Sequence, residues 1–262
     1  MGATQLIGAL CRESCGCPDR GPLPLRGDRD KAGADKITPM NEAGEYFNLH
    51  AESFAGNYGG RRDFHERMAV WRELIAKFAR PGERAYDMGC GPGHLCRLLL
   101  DHGMQVRGFD VSERMLEIAR REAGAGASFE ERELPFSTHG LDKVPLIVCS
   151  SVLEYVERID DCLDAFRDLL TKGGIVILSL PNAASLFRRA EKLRYALSGK
   201  PDYLMLQRHS FTPSALDERM RCHGLTRLDL RLTAGRGGIL APLEFLLPPV
   251  LRANLIVGAY GK

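Results

Sequence analysis

The stretch Asp87-Met-Gly89-Cys90-Gly91-Pro-Gly93 has residue types suited to holding a ligand directly on the main chain. Glycine at every second position removes the Cβ atoms that keep ligands off the backbone, and it allows the positive φ values of a tight turn. A dinucleotide fingerprint, G-x-G-x-x-G, counted from Gly89 and Gly91 requires Gly or Ala at position 94. The chain has His94 there, so nicotinamide dinucleotides are not the expected ligands. Taken alone, G-x-G-x-G also fits a structural turn in any α/β protein. A second acidic residue argues for a binding site. Gln105 to Phe109 reads as a short strand closed by Asp110, roughly 20 residues beyond the glycines, where nucleotide-binding α/β folds hold a ribose. The Asp110 carboxylate can accept hydrogen bonds from both ribose hydroxyls. Its other reading is a helix cap, but Ser112 is also a good N-cap residue and can serve instead.

The pattern D-x-G-x-G-x-G behind a strand, with an acidic residue ending the next strand, resembles the class I S-adenosylmethionine-dependent methyltransferases. That resemblance implies that Asp87, Gly89, Gly91 and Gly93 hold the methionine end of S-adenosylmethionine and Asp110 its ribose. Cys90, Val111, Met115 and Ser150 are implied as further cofactor contacts. The tract Phe129-Glu-Glu-Arg-Glu-Leu-Pro-Phe136 resembles the stretch after the family's third strand, where an acidic residue meets the adenine amino group. Glu130, Glu131 and Glu133 compete for that role, and Glu131 is the choice. Leu146 to Val156 (L-I-V-C-S-S-V-L-E-Y-V) resembles the LEHV segment of the small-molecule branch that includes the ubiquinone-type O-methyltransferases. Tyr155 stands where many of those relatives have His, so a base cannot be carried over to that position. His209, in Arg-His-Ser-Phe-Thr, is the replacement candidate, with a structural loop His as the alternative. The expected reaction is methyl transfer to a small-molecule acceptor, on a hydroxyl oxygen. Its rivals are a protein or amine N-methyltransferase and a catalytically silent cofactor-binding protein. The fourth strand ends Cys149-Ser150-Ser151 and carries no N-P-P-Y tract, which weighs against amide or base N-methylation.

The elements that must position these residues alternate. Strands Arg84 to Met88, Gln105 to Asp110, Ala127 to Glu131, Leu146 to Ser150 and Ile175 to Leu180 are separated mainly by helical patterns. Such an order predicts a Rossmann-like, doubly wound and mostly parallel sheet, binding ligands at the carboxyl ends of its strands. Thr226 to Leu232 and Leu255 to Ala259 complete seven strands, with an antiparallel pairing at the end as the resemblance implies. Thr212-Pro213 opens a helix, with Thr212 as N-cap and Pro213 at the first helical position. Asn41 to Phe78 reads as two helices split at Gly59-Gly60. In the family such a segment folds over the cofactor, which places Tyr58 near it; a core role for Tyr58 is the alternative. Residues 182–210, basic and partly helical, and 233–253, apolar and proline-interrupted, fall outside the alternation and are expected as an acceptor lid.

With 262 residues and 44% hydrophobic composition, one such domain with additions is expected, spanning residues 41–262 behind a poorly ordered tail, 1–40. A formal net charge of +2 lacks the basic field of a non-specific nucleic-acid binder. Eight Cys spread through the chain suit a reducing, cytoplasmic setting. The Cys11, Cys15 and Cys17 spacing does not match the usual zinc pairs, so no metal is expected. No apolar run reaches the length of a membrane span. The alternatives for 233–253 are a homodimer contact or a membrane surface, with Glu244 and three prolines against a regular amphipathic membrane helix.

Overall fold

The computed structural model describes residues 39–58, 62–234 and 247–262. Cys11, Cys15, Cys17 and the rest of 1–38 lie outside the described residues, as does 235–246, most of the second insertion.

Seven strands form one sheet: β1 (Arg84–Met88), β2 (Gln105–Asp110), β3 (Ala127–Glu131), β4 (Val144–Ser150), β5 (Leu170–Pro181), β6 (Thr226–Ala234) and β7 (Ala253–Gly261), in the order β3-β2-β1-β4-β5-β7-β6. The pairs up to β5 are parallel, and β7 runs antiparallel to both β5 and β6. This is the expected Rossmann-like sheet. Helices α1 (Pro39–Leu49), α2 (Ala51–Tyr58) and α3 (Arg62–Phe78) precede it. The crossovers carry α4 (His94–Asp101), α5 (Glu113–Ala123) and α6 (Ile159–Leu169), followed by α7 (Leu186–Ser198), α8 (Pro213–Cys222) and the short α9 (Pro249–Arg252). The leading segment is broken once more than its pattern implied, at His50. That residue's ring bonds to the Tyr46 carbonyl and its own carbonyl accepts from Ser53, closing a turn between α1 and α2.

Period-two alternation buries both faces of the central strands, as crossover helices on both sides require. Tyr86, Met88, Ile147, Cys149 and Leu178 pack on one face with Phe166 of α6, while Ala85, Leu146, Val148 and Ile177 pack on the other. On that second face α3 contributes Trp71, Leu74 and Ile75, all fully buried at helical spacing. Each contributes about 1.5–3 kcal/mol of apolar burial, which anchors the helical segment leading into β1. From β1 the chain winds outward to β2 and β3, then returns to the other side of β1 at β4. The order reverses there, so the turns after β1 and β4 diverge and leave a crevice at the carboxyl ends of the strands.

Candidate active site

A cavity of about 360 Å³ opens at this crevice. Its floor is the turn after β1. Gly89, Gly91 and Gly93 have φ of 73°, 51° and 87°, conformations open to glycine and costly for other residues. The amides of Gly89 and Cys90 both donate to the Phe109 carbonyl, at 2.7 and 2.9 Å, so the turn is strapped across the end of β2. A Cβ on Gly89 would lie 2.2 Å from Val152, which leaves no space for any other residue. Gly93 has a different task from the one expected of it. It does not line the cavity; a Cβ there would lie 3.1 Å from Ala119, so it lets α4 start against α5. The close packing that a dinucleotide fingerprint assigns to its third glycine is achieved one residue earlier in this chain.

Asp87 is 1% exposed. Its Oδ2 accepts from the Cys96 thiol at 3.2 Å, and its Oδ1 has no hydrogen-bond partner among the described residues. Burial pushes this carboxyl up to about 7. Asp110 accepts from the Gly91 amide at 2.8 Å and the Ser112 amide at 2.9 Å, one bond on each oxygen. A carboxylate has roughly four acceptor positions, so both oxygens retain capacity toward the cavity. Ser112 caps α5 as expected, its hydroxyl accepting from the Met115 amide. Burial raises the Asp110 carboxyl as well. Cys90, Val111, Met115 and Ser150 line the same cavity.

Besides Gly93, three expected residues are not shown there. Tyr58 ends α2, and its side chain lies outside the described residues. The described contribution of the leading helices is Ala43, Gly44 and Phe47 of α1 together with Phe64, Arg67 and Met68 of α3. Asn48 docks α1 by accepting from the Ser112 hydroxyl at 2.8 Å and the Arg114 amide at 3.2 Å. Glu131 stands exposed on the edge strand, and none of Glu130, Glu131 and Glu133 lines the cavity. Glu130 is drawn into ion pairs with Arg107 and Arg132, which hold it below the usual carboxylate range against the opposing effect of burial. Arg132 and Leu134 line the wall in place of an acid.

His209 also lies away from the cavity lining. The amides of Arg208 and His209 both donate to the Glu154 carbonyl, which pins their loop. The ring turns to Val156, with Nε2 2.9 Å from its carbonyl oxygen. A carbonyl only accepts, so Nε2 carries the proton. Burial pulls this imidazole below its usual range. His209→Ala is therefore expected to leave kcat within about threefold of wild type and to lower stability by about 1 kcal/mol, one lost hydrogen bond. Turnover and melting temperature measured on that variant separate this from a base, whose loss would reduce kcat with the fold intact.

The structure supplies another carboxylate. Glu154, one residue before Tyr155 in the L-E-Y-V segment, lines the cavity at 3% exposure, and its Oε2 has no hydrogen-bond partner among the described residues. Burial pushes its carboxyl up to about 7, opposed first by a hydrogen bond from its own backbone amide and then by Arg188 and Arg67. Ser151, three residues earlier, takes a left-handed φ of 55° while its amide donates to Ser179 Oγ at 3.0 Å. A non-glycine residue in that region marks strain held by its surroundings. The insertion after β5 adds Arg188 and Tyr203, joined to each other at 3.1 Å and to Glu191 at 2.8 and 2.7 Å. Sequence spacing could not have selected Arg188 or Tyr203, because their approach depends on how α7 folds back over the sheet.

A sequence model of the methyltransferase-domain family matches residues 61–230. The chain belongs to that family. As a methyltransferase it is 29% identical over 161 residues to a ubiquinone biosynthesis O-methyltransferase of Bordetella avium, covering 57% of this chain and 65% of that one. It is 31% identical over 120 residues to a trans-aconitate 2-methyltransferase of Rhizobium leguminosarum, covering 45% and 46%. The methyltransferase chain thus spans just under two thirds of the first relative and less than half of the second. Among solved structures, the magnesium protoporphyrin IX methyltransferase of Synechocystis with bound S-adenosylhomocysteine superposes with a TM-score of 0.65 at 18% identity, covering 84% of this chain and 98% of that one. At that identity the likeness concerns the fold. No helix among the described residues is long and apolar enough to cross a membrane.

Proposed function

We propose that this methyltransferase moves the methyl group of S-adenosylmethionine to the oxygen of a small-molecule acceptor. The observation that carries the reading is the pair of buried carboxylates on one cavity, Asp87 and Glu154, each with an oxygen lacking a hydrogen-bond partner among the described residues. Leaving a buried charged acceptor unsatisfied is expensive, and a ligand that donates to it recovers that cost. Asp87 Oδ1 fits the cationic amino group of the methionine moiety. Gly89 and Gly91 provide a floor free of side chains, and Asp110 retains acceptor capacity for the ribose hydroxyls. Arg132 and Leu134 flank the base, with Arg132 5.1 Å from the Phe136 ring centroid. When bound, the cofactor supplies an electrophilic methyl group on a sulfonium, and the electron pair of the broken carbon–sulfur bond stays on sulfur.

The remaining chemistry is the removal of the acceptor proton. Glu154 Oε2 takes the hydroxyl proton while the acceptor oxygen forms the new bond to carbon. A base poised near 7 suits this task at neutral pH, where a fully exposed glutamate would be too weak. Arg188 and Tyr203 form the acceptor-side wall, which makes residues 182–210 part of the acceptor lid.

Calorimetry with S-adenosylhomocysteine and with NAD tests the cofactor assignment. Binding of the first and none of the second is expected. Affinity should also rise with pH up to about 7 and then level off. Free Asp87 holds its proton until about pH 7, and the ligand's ammonium favours the ionised form, so below that pH binding must first release the proton. The same raised carboxyl stabilises the ligand-free fold below 3.8, the ordinary carboxyl value, and this contribution is lost as pH rises through about 7. A pH-independent affinity would remove Asp87 from the amino-group contact. A turnover screen over phenols, carboxylic acids and amines tests the acceptor class, and methylation confined to amines would overturn the oxygen assignment.

A further inference from the structure

Helix α7 buries none of its 13 residues. Its cavity-facing side carries the partly buried Arg188, Glu191 and Tyr195, spaced by three and four. On the opposite side Leu186, Leu193 and Leu197, spaced by seven and four, form a single stripe. Leu193 is 64% exposed and Leu197 81% exposed, and Met205 in the following turn is 67% exposed. Phe187 is exposed beside them. Single exposed leucines need no explanation, but a row of them on one helix does.

The charges around the stripe indicate its partner. Arg189 lies on one flank and Arg194 on the other, by their positions around the helix. Along with Lys192 they make no ion pair to another described residue. Their other contacts are weak: Arg189 Nε reaches the Ala183 carbonyl at 3.4 Å and Lys192 Nζ the Ser210 hydroxyl at 3.4 Å. The helix's only carboxylate, Glu191, is turned inward and bound to Arg188 and Tyr203, so it offsets nothing at the outer face. Asp202, next along the chain, is paired with Lys200.

We infer that the outer face of α7 docks on an anionic lipid surface, with the leucine stripe in the headgroup–acyl boundary and Arg189, Lys192 and Arg194 against the lipid phosphates. An interfacial helix joins an apolar face to Lys and Arg in this manner, and each cation near an anionic leaflet adds attraction. A protein partner fits less well: leucine is under-represented among the anchor residues of protein interfaces, and the centre of this face is leucine. Because Arg188 and Tyr203 line the cavity from the other side of this insertion, docking sets the acceptor wall of the site against the lipid surface.

Co-sedimentation of the full chain with vesicles tests this without reference to methyl transfer, so its failure leaves the proposed reaction standing. Two vesicle types are compared, phosphatidylcholine alone and phosphatidylcholine with an equal amount of phosphatidylglycerol. Binding to the anionic vesicles alone is expected, weakening severalfold as salt screens the charges. The double variants Leu193→Glu/Leu197→Glu and Arg189→Glu/Arg194→Glu should each reduce it at least tenfold, with S-adenosylhomocysteine binding and melting temperature unchanged. Equal binding to both vesicle types, or undiminished binding of either variant, overturns the proposal. Absence of vesicle binding overturns it too. A dimer lost in the leucine variant would then assign the face to a second copy, and a lowered melting temperature would assign it to packing within the chain itself.

Discussion

Glu154→Gln is expected to lower kcat by about 10² to 10⁴, the usual contribution of a positioned general base. The amide keeps the size of the side chain and cannot take a proton. S-adenosylhomocysteine affinity should stay near wild type, because the cofactor assignments lie on the turns after β1 and β2. The pH profile gives the more specific readout. In the wild-type enzyme the Glu154 carboxyl, held up to about 7, must be ionised to act, so kcat should rise with pH through that value and then level off. The variant should lose that acid limb and regain rate only where the acceptor ionises by itself. These rates are read on the acceptor that the turnover screen selects, under single-turnover conditions so that product release does not mask the chemical step. Retention of full activity and of the acid limb in a folded Glu154→Gln protein would exclude this carboxylate from the reaction.

Asp110→Ala should produce the largest loss on the cofactor side. Hydrogen bonds to a charged group contribute about 1.5–3 kcal/mol, which corresponds to roughly a ten- to hundredfold weaker Kd for S-adenosylhomocysteine. The substitution also releases the Gly91 and Ser112 amides, which the carboxylate now holds at 2.8 and 2.9 Å. Asp110→Asn separates the two contributions. Its single carbonyl oxygen can keep one of these bonds, so a smaller loss than for alanine is expected. Calorimetry on both variants, with melting temperature as a control on the fold, reads the effect. Unchanged affinity in a folded Asp110→Ala protein would refute the ribose assignment.

Much of the site was legible because it is local. Asp87 and the glycines lie within seven residues, and a turn that close to the backbone needs residues without Cβ whatever surrounds it. The alternation of strands and helices placed Asp110 at the next strand end, since each crossover returns the chain to the same edge of the sheet. Ser112 and Thr212 cap their helices as their types imply, accepting from the Met115 and Ala215 amides. The expected residues that do not line the cavity, Glu131 and His209, are placed by contacts that spacing does not reveal. Glu131 was chosen from three acids that spacing could not rank, and the Arg107 that engages Glu130 comes from the neighbouring strand, 23 residues away. His209 had the chemistry of a base, but the direction of its ring is set by Val156, 53 residues away.

The sequence by itself therefore determined the sheet, the cofactor turn and the kind of ligand that can rest on it, through period, glycine spacing and acidic residues whose effects reach only a few residues along the chain. Only the tertiary structure decided the acceptor side. Burial puts Glu154 on the cavity and turns His209 to the Val156 carbonyl, and the proposed role of Glu154 rests on that difference, because a carboxyl is raised toward neutral pH only when the fold removes it from water. Folding α7 back over the sheet brings Arg188 and Tyr203 to the cavity and leaves its leucines outside, since which face of a helix is covered depends on what packs against it.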